Sequence, residues 1–151
     1  MRSLTGTMWK AVAARSFDKE GHEVLPFGPC PSGFAIFDAE RMLIAIVDSR
    51  TELPPNSPPR RFLSYTGTYR FNGAELVTVA DDASRPEAIV QQVRHLSFES
   101  DSRMVAVVVS GIPDLRGSEV VWERVVVAVP VLPEDGSAGQ GKSTQRGRSA
   151  Q

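Results

Sequence analysis

Apolar and polar residues alternate along most of this chain with a period of two, the period of a strand that turns one face to a core and the other to water. Nine strands follow from it: "WKAVAARSF" (9–17), "EVLPF" (23–27), "FAIFD" (34–38), "RMLIAIVD" (41–48), "FLSYTGTYRF" (62–71), "AELVTVA" (74–80), "AIVQQVRHLSFE" (88–99), "RMVAVVVSG" (103–111) and "EVVWERVVVAV" (119–129). The breaks between them are turn-like: "DKEGH", "GPCPSG", Ala39-Glu40 and "SDS". Asn72-Gly73 between two alternating runs is the strongest short-range hairpin signal in the chain. The segment 49–61 holds prolines at 54, 55, 58 and 59, so it reads as an exposed extended loop.

Helical periodicity is almost absent. The best helix candidate is 84–93, where Ser84 would cap, Pro86 would sit in the first turn and Glu87 would complete a capping box. It competes with the strand reading of the same residues. Consecutive strands with short turns and no crossover helices predict an all-β fold, an antiparallel up-and-down β-barrel of about 8–10 strands, since closure removes sticky edges. A sandwich is the alternative. The barrel domain is expected over 1–132, and the polar stretch 133–151, with no apolar residue larger than alanine, as a flexible tail.

Composition fits that picture and narrows the partners. Valine outnumbers isoleucine eighteen to five, which favours strands. A net charge of -1 gives no field to attract nucleic acid or acidic membranes. No apolar run reaches the ~18 residues of a membrane helix, and the first residues lack the apolar core of a signal peptide. The single cysteine, Cys30, has no partner for an internal disulfide. A cytoplasmic protein that handles a small molecule is the expectation.

One motif is refused. Residues 136–143, "GSAGQGKS", match the phosphate-loop pattern, but that chemistry needs the Lys and Ser to open a helix inside a parallel sheet, with an acidic metal ligand on a later strand. Only eight residues follow Ser143. No cofactor is expected. Two histidines and one cysteine without ligand spacing argue against a zinc site, and no "GxSxG" elbow supports a hydrolase triad. Asp38, Asp48, Asp81 and Asp82 fall at strand ends, where solvation or turn capping is the ordinary role, and His22 lies in a turn.

Candidate chemistry therefore sits on strand faces. "SYTGTYRF" puts Tyr65, Gly67, Tyr69 and Phe71 on one face, an aromatic wall with a glycine gap that suits core packing or a ligand wall. Gly67 would relieve strain where a barrel bends. Arg94 and His95 must face opposite sides, so one alone points inward: an inward His95 would serve as acid or base, an inward Arg94 would bind a carboxylate, an enolate or a ring oxygen. In the last strand Trp122 and Arg124 share a face; if first and last strands adjoin, an indole and a guanidinium would stack there and close the barrel floor.

These parts together resemble the lipocalin-like domain family of microbial proteins, related in shape to the lipocalin and calycin barrels. The resemblance rests on the Gly-Thr start leading to Trp9, the "PFG...G" segment, "YTGTY" with its following turn glycine, the arginine at 94 and the closing "VWERV", and it covers residues 4–125. It implies Trp9 as floor tryptophan, Arg124 as its partner, Gly28 and Gly33 as backbone turns, Tyr65, Gly67 and Tyr69 as a wall motif, and Arg94 as the interior arginine. Two features depart from the pattern. Gly6 and Trp9 are one residue further apart than usual, which would make Met8 a bulge, and "VTVADDA" lacks a histidine near Thr78 or Val79.

What the resemblance implies is a cavity for a small apolar organic molecule. The leading expectation is a cofactor-independent enzyme of secondary metabolism, a cyclase, isomerase or dehydratase acting on a polyketide- or terpenoid-like intermediate. In it Tyr65, Tyr69 or Arg94 would polarise an oxygen and His95 or a mouth aspartate would move a proton. Phe71 would join them in lining the ligand. The alternative is a carrier with the same cavity and no chemistry; a filled barrel would support neither.

Overall fold

The structure, a computed structural model, describes residues 1–126. Nine strands form in chain order: β1 (Thr7–Phe17), β2 (Glu23–Val24), β3 (Pro31–Phe37), β4 (Arg41–Asp48), β5 (Phe62–Phe71), β6 (Glu75–Ala83), β7 (Gln91–Ser100), β8 (Arg103–Ser110) and β9 (Glu119–Arg124). Each pairs antiparallel with its neighbour in the order β2-β1-β3-β4-β5-β6-β7-β8-β9, and β1 also pairs with β9. The result is a closed eight-stranded antiparallel barrel with β2 as a short extra strand on the end of β1. Closure leaves no long exposed edge, the reason a meander of this length curls up.

Two strands, β4 and β5, begin and end where the alternation says they should. Along β4 the buried positions are Met42, Ile44, Ile46 and Asp48, a strict period of two. The β5–β6 hairpin turns at Asn72-Gly73 as expected, with the Asn72 side-chain oxygen accepting from the backbone N–H of Ala74 and of Glu75. Elsewhere the ends move for identifiable reasons. β2 stops at Val24, before Pro26, which has no N–H to give to a ladder. β3 starts early, at Pro31, a first-residue position a proline tolerates. Gly33 thus lies within a strand, paired with Ile46, and is not a turn.

The helix candidate over 84–93 does not form, and the competing strand reading holds from Gln91 onward as β7. A single 3-10 turn, Pro86–Ala88, stands there, and Arg85 precedes it without a side-chain cap. The hydroxyl of Ser84 is engaged elsewhere: it accepts from the N–H of Ser64, while the N–H of Ser84 donates to the Ser64 carbonyl. A second short turn, Pro113–Leu115, connects β8 to β9.

Curvature comes from bulges. β1 slips against β9 between Ala11 and Ala13, so that Ala11 and Ala14 both face inward, three residues apart. Met8 is not the bulge: Thr7, Met8 and Trp9 pair in unbroken register with Phe37, Ile36 and Ala35. A second slip lies at Thr66/Gly67 against β6. There the strands approach so closely that a Cβ on Gly67 would stand 1.9 Å from the Val79 carbonyl oxygen, which only glycine permits.

One end of the barrel, the floor, is packed by aromatic rings. Trp9 is buried and its indole N–H donates to Thr7 Oγ1 at 2.8 Å. Its ring lies 6.1 Å from that of Phe98, which meets Phe71 at 6.2 Å. Burying rings of this size contributes about 1.5–3 kcal/mol each. Trp122 is also buried, and the first and last strands adjoin as closure requires. Arg124 pairs in register with Trp9, but its side chain is exposed; the cation over a floor ring is Arg2, 4.2 Å from the centre of Phe98.

The far part of the expected ninth strand, the domain boundary at 132, the polar stretch 133–151 and the motif at 136–143 lie outside the described residues. Among the described residues no helix is long and apolar enough to cross a membrane.

Candidate functional site

The opposite end, the mouth, is roofed by loops. Phe27, Ile112 and Leu115 are buried there, from the β2–β3 and β8–β9 connections. Arg61, at the end of the proline-rich loop, lies 5.5 Å over the Phe27 ring and forms an ion pair with Asp114. Arg85 reaches the same carboxylate at 3.9 Å. Three connections are thereby tied across the mouth by one aspartate. Asp48 is also at this end, and it is not solvated as its strand-end position suggests: it is buried and accepts from Arg50 Nη2 at 2.6 Å and from the Arg50 backbone N–H. The Arg50 guanidinium holds the Asp48 carboxyl below the usual range, against the opposing effect of burial.

Between floor and mouth runs a narrow interior cavity. Its wall is mostly apolar, with Ile44, Leu63, Leu76, Met104, Ala106 and Val108 among its side chains. The space that the centre of a water molecule can occupy is about 40 Å³, room for a few waters at ~10–15 Å³ each and far below the size of a typical drug-sized ligand site.

Alternation decides which polar groups of the strands face the barrel interior, and Tyr65, Arg94 and Ser118 line the cavity itself. On β7 the inward positions are Gln92, Arg94 and Leu96, so Arg94 points in and His95 is exposed on the outer surface. On β5 Tyr65 points in and is almost wholly buried. On β6 Thr78 points in and pairs in register with Gln92. Arg94 Nη2 donates to Gln92 Oε1 at 2.7 Å, and the Arg94 guanidinium carbon is 5.5 Å from the centre of the Tyr65 ring. Arg94 is 8% exposed.

Four polar atoms of this cluster have no hydrogen-bond partner in the protein: Tyr65 Oη, Thr78 Oγ1, Gln92 Nε2 and Arg94 Nη1. Buried polar groups are ordinarily paired, because an unpaired one costs about 1–3 kcal/mol. No acidic side chain among the described residues forms an ion pair with Arg94. Burial pushes the Tyr65 phenol above its ordinary pKa, and the nearby Arg94 charge only partly offsets this. Tyr65 therefore stays a neutral donor and supplies no counter-charge.

The other expected residues lie elsewhere. The Tyr69 hydroxyl donates to the Asp38 carbonyl oxygen at 2.5 Å, and its ring meets Phe37 edge-on at 5.1 Å, so it is committed to the floor. Phe71 packs on Phe98, also at the floor. Gln92 and Thr78 were not singled out by sequence, although Gln92 stands two residues from Arg94 and shares its parity. Asp18, Glu20 and His22, in the exposed turn after β1, bring ligand atoms within 4.8 Å of one another. His22 Nδ1 lies 3.3 Å from Asp18 and 3.4 Å from Glu20, and Asp18 Oδ1 accepts from the backbone N–H of Glu20 and of His22, so the group caps an exposed turn.

No protein-family model matches the chain, and no curated protein and no solved structure matches it.

Proposed function

We propose that this chain is a lipocalin-like barrel that binds a small, mainly apolar organic molecule inside, entering at the mouth. The observation that carries this reading is the interior itself: an apolar wall into which Arg94 and Tyr65 each bring an unpaired polar atom. Apolar sites with a few convergent polar groups are the usual form of small-molecule sites. The present free space is small, so binding requires Phe27 and Leu115 to lift with the loops that carry them. A cap made of loops and exposed ion pairs is the part of a barrel that opens at least cost.

Catalysis is the second reading, and one observation favours it. Tyr65 keeps its proton beside Arg94, and such a pair of donors would polarise an oxygen of a bound intermediate for cyclisation, isomerisation or dehydration. A proton acceptor is less well provided, because His95 faces outward. Binding without chemistry is the reading supported more fully.

The test is titration with a neutral apolar fluorophore, N-phenyl-1-naphthylamine, followed by its displacement. Saturable one-to-one binding, weakened in Ala106→Leu, which narrows the interior, is the expected result. Absence of saturable binding, or binding untouched by Ala106→Leu in a protein that still melts cooperatively, overturns the proposal. Conversion of a displacing polyketide- or terpenoid-like compound into product would decide for the enzyme.

A further inference from the structure

The cluster inside the barrel carries one net positive charge, spare donors and no anionic partner among the described residues. Arg94 Nη1 and Gln92 Nε2 can only donate, and the Tyr65 and Thr78 hydroxyls are free to do so. The one carbonyl acceptor among these side chains, Gln92 Oε1, is already used by Arg94 Nη2, and the two hydroxyls, which can accept as well as donate, carry no charge to balance the guanidinium. We propose that the ligand of this barrel is a small monocarboxylate, its carboxylate held in the interior by Arg94 with Tyr65, Gln92 fixing the guanidinium from behind, its apolar body along the wall toward the mouth. This rests on the small-molecule reading given above and goes beyond it by naming the head group.

Three alternatives fit the inventory less well. A neutral carbonyl or alcohol would occupy donors but leave the guanidinium without a counter-charge, and an unpaired buried charge is the costlier defect. Water would do the same. A phosphate near neutral pH carries about −1.5 to −2, more than one arginine balances, and it brings a third oxygen and greater bulk into a narrow space. A carboxylate is acceptor-only, singly charged and planar, and its two oxygens match the fork of a guanidinium.

The arrangement is held in place from behind. Gly111, just beyond β8, has φ +133, and a Cβ there would stand 2.6 Å from Gln92 Cγ. Only glycine lets the β8–β9 connection close this tightly on Gln92, and Gln92 in turn fixes one nitrogen of Arg94. Gln92 is a positioning residue for the guanidinium.

The experiment is competition against N-phenyl-1-naphthylamine by straight-chain monocarboxylates of about four to ten carbons, each beside its amide and its alkylphosphonate, at neutral pH. The expected result is that the best carboxylate displaces the probe at least tenfold more tightly than its own amide. In Arg94→Met that preference disappears while probe binding persists, and Arg94→Lys keeps part of it. Melting curves confirm that each variant is folded. If amides compete as well as carboxylates, or phosphonates compete better, the head-group inference falls and the small-molecule reading stands. If the probe does not bind the native chain, both fall.

Discussion

The guanidinium of Arg94 lies 5.5 Å from the centre of the Tyr65 ring, inside a barrel where neither finds a carboxylate. A cation over an aromatic face recovers some of what burial costs, about 2 kcal/mol when desolvated. That is less than the several kcal/mol of taking an ion out of water. The interior is thus under-compensated, and substitutions there separate stability from function.

Arg94→Met removes the buried charge and keeps an unbranched apolar side chain of similar reach. The expected effect is a fold as stable as the native one or more stable, by up to about 4 kcal/mol, read from chemical denaturation. A loss of more than about 1 kcal/mol would show that Arg94 is satisfied within the folded protein.

Tyr65→Phe deletes a hydroxyl that has no protein partner. Stability near neutral pH should rise by about 1–3 kcal/mol, because the substitution breaks no hydrogen bond and removes the desolvation cost of an unpaired hydroxyl. Alkaline conditions distinguish the two proteins. Burial raises the Tyr65 pKa in the folded state, so above the ordinary phenol value of about 10 the unfolded chain releases a proton that the folded one retains. Stability of the native protein therefore falls as pH rises past that value, and the slope should be shallower in Tyr65→Phe. Parallel pH–stability curves would contradict this.

Trp9→Ala should cost about 3–5 kcal/mol as a large truncation in a packed region. Trp9 belongs to the floor cluster and not to the interior wall, so under conditions where the variant is folded, probe affinity should be close to native. A large loss of affinity with little loss of stability would make the indole part of the ligand site.

Asp114→Asn cuts the ion pairs that join Arg61 and Arg85 across the mouth. Exposed pairs contribute about 0–1 kcal/mol, so the melting temperature should barely move. Stopped-flow measurement of probe binding should show association and dissociation both faster, with little change in affinity, since the latch touches the path and not the site. Unchanged rates would place the way in elsewhere.

The local pattern of the chain determined its strands. Alternation placed β4 and β5 to the residue, Asn72-Gly73 placed the β5–β6 hairpin, and the run of short turns implied a closed antiparallel sheet. These are properties of neighbouring residues, and a period of two needs no knowledge of the rest of the molecule. Alternation also showed that Arg94 and His95 face opposite ways.

Which of the two faces inward, only the tertiary structure decided. Both faces of this sheet carry large apolar side chains, as exposed Phe34, Leu43 and Phe62 attest, so hydrophobicity alone does not label the inner one. The bulge at Ala11–Ala13 shifts parity within β1 through contacts with a strand distant in sequence, and a slip against Val93/Arg94 puts an extra residue, Val109, into β8. The same holds for the site. Thr78, Gln92 and Tyr65 come from three strands, and their shared lack of partners exists only once the barrel has closed around them and removed the water that would otherwise have paired them.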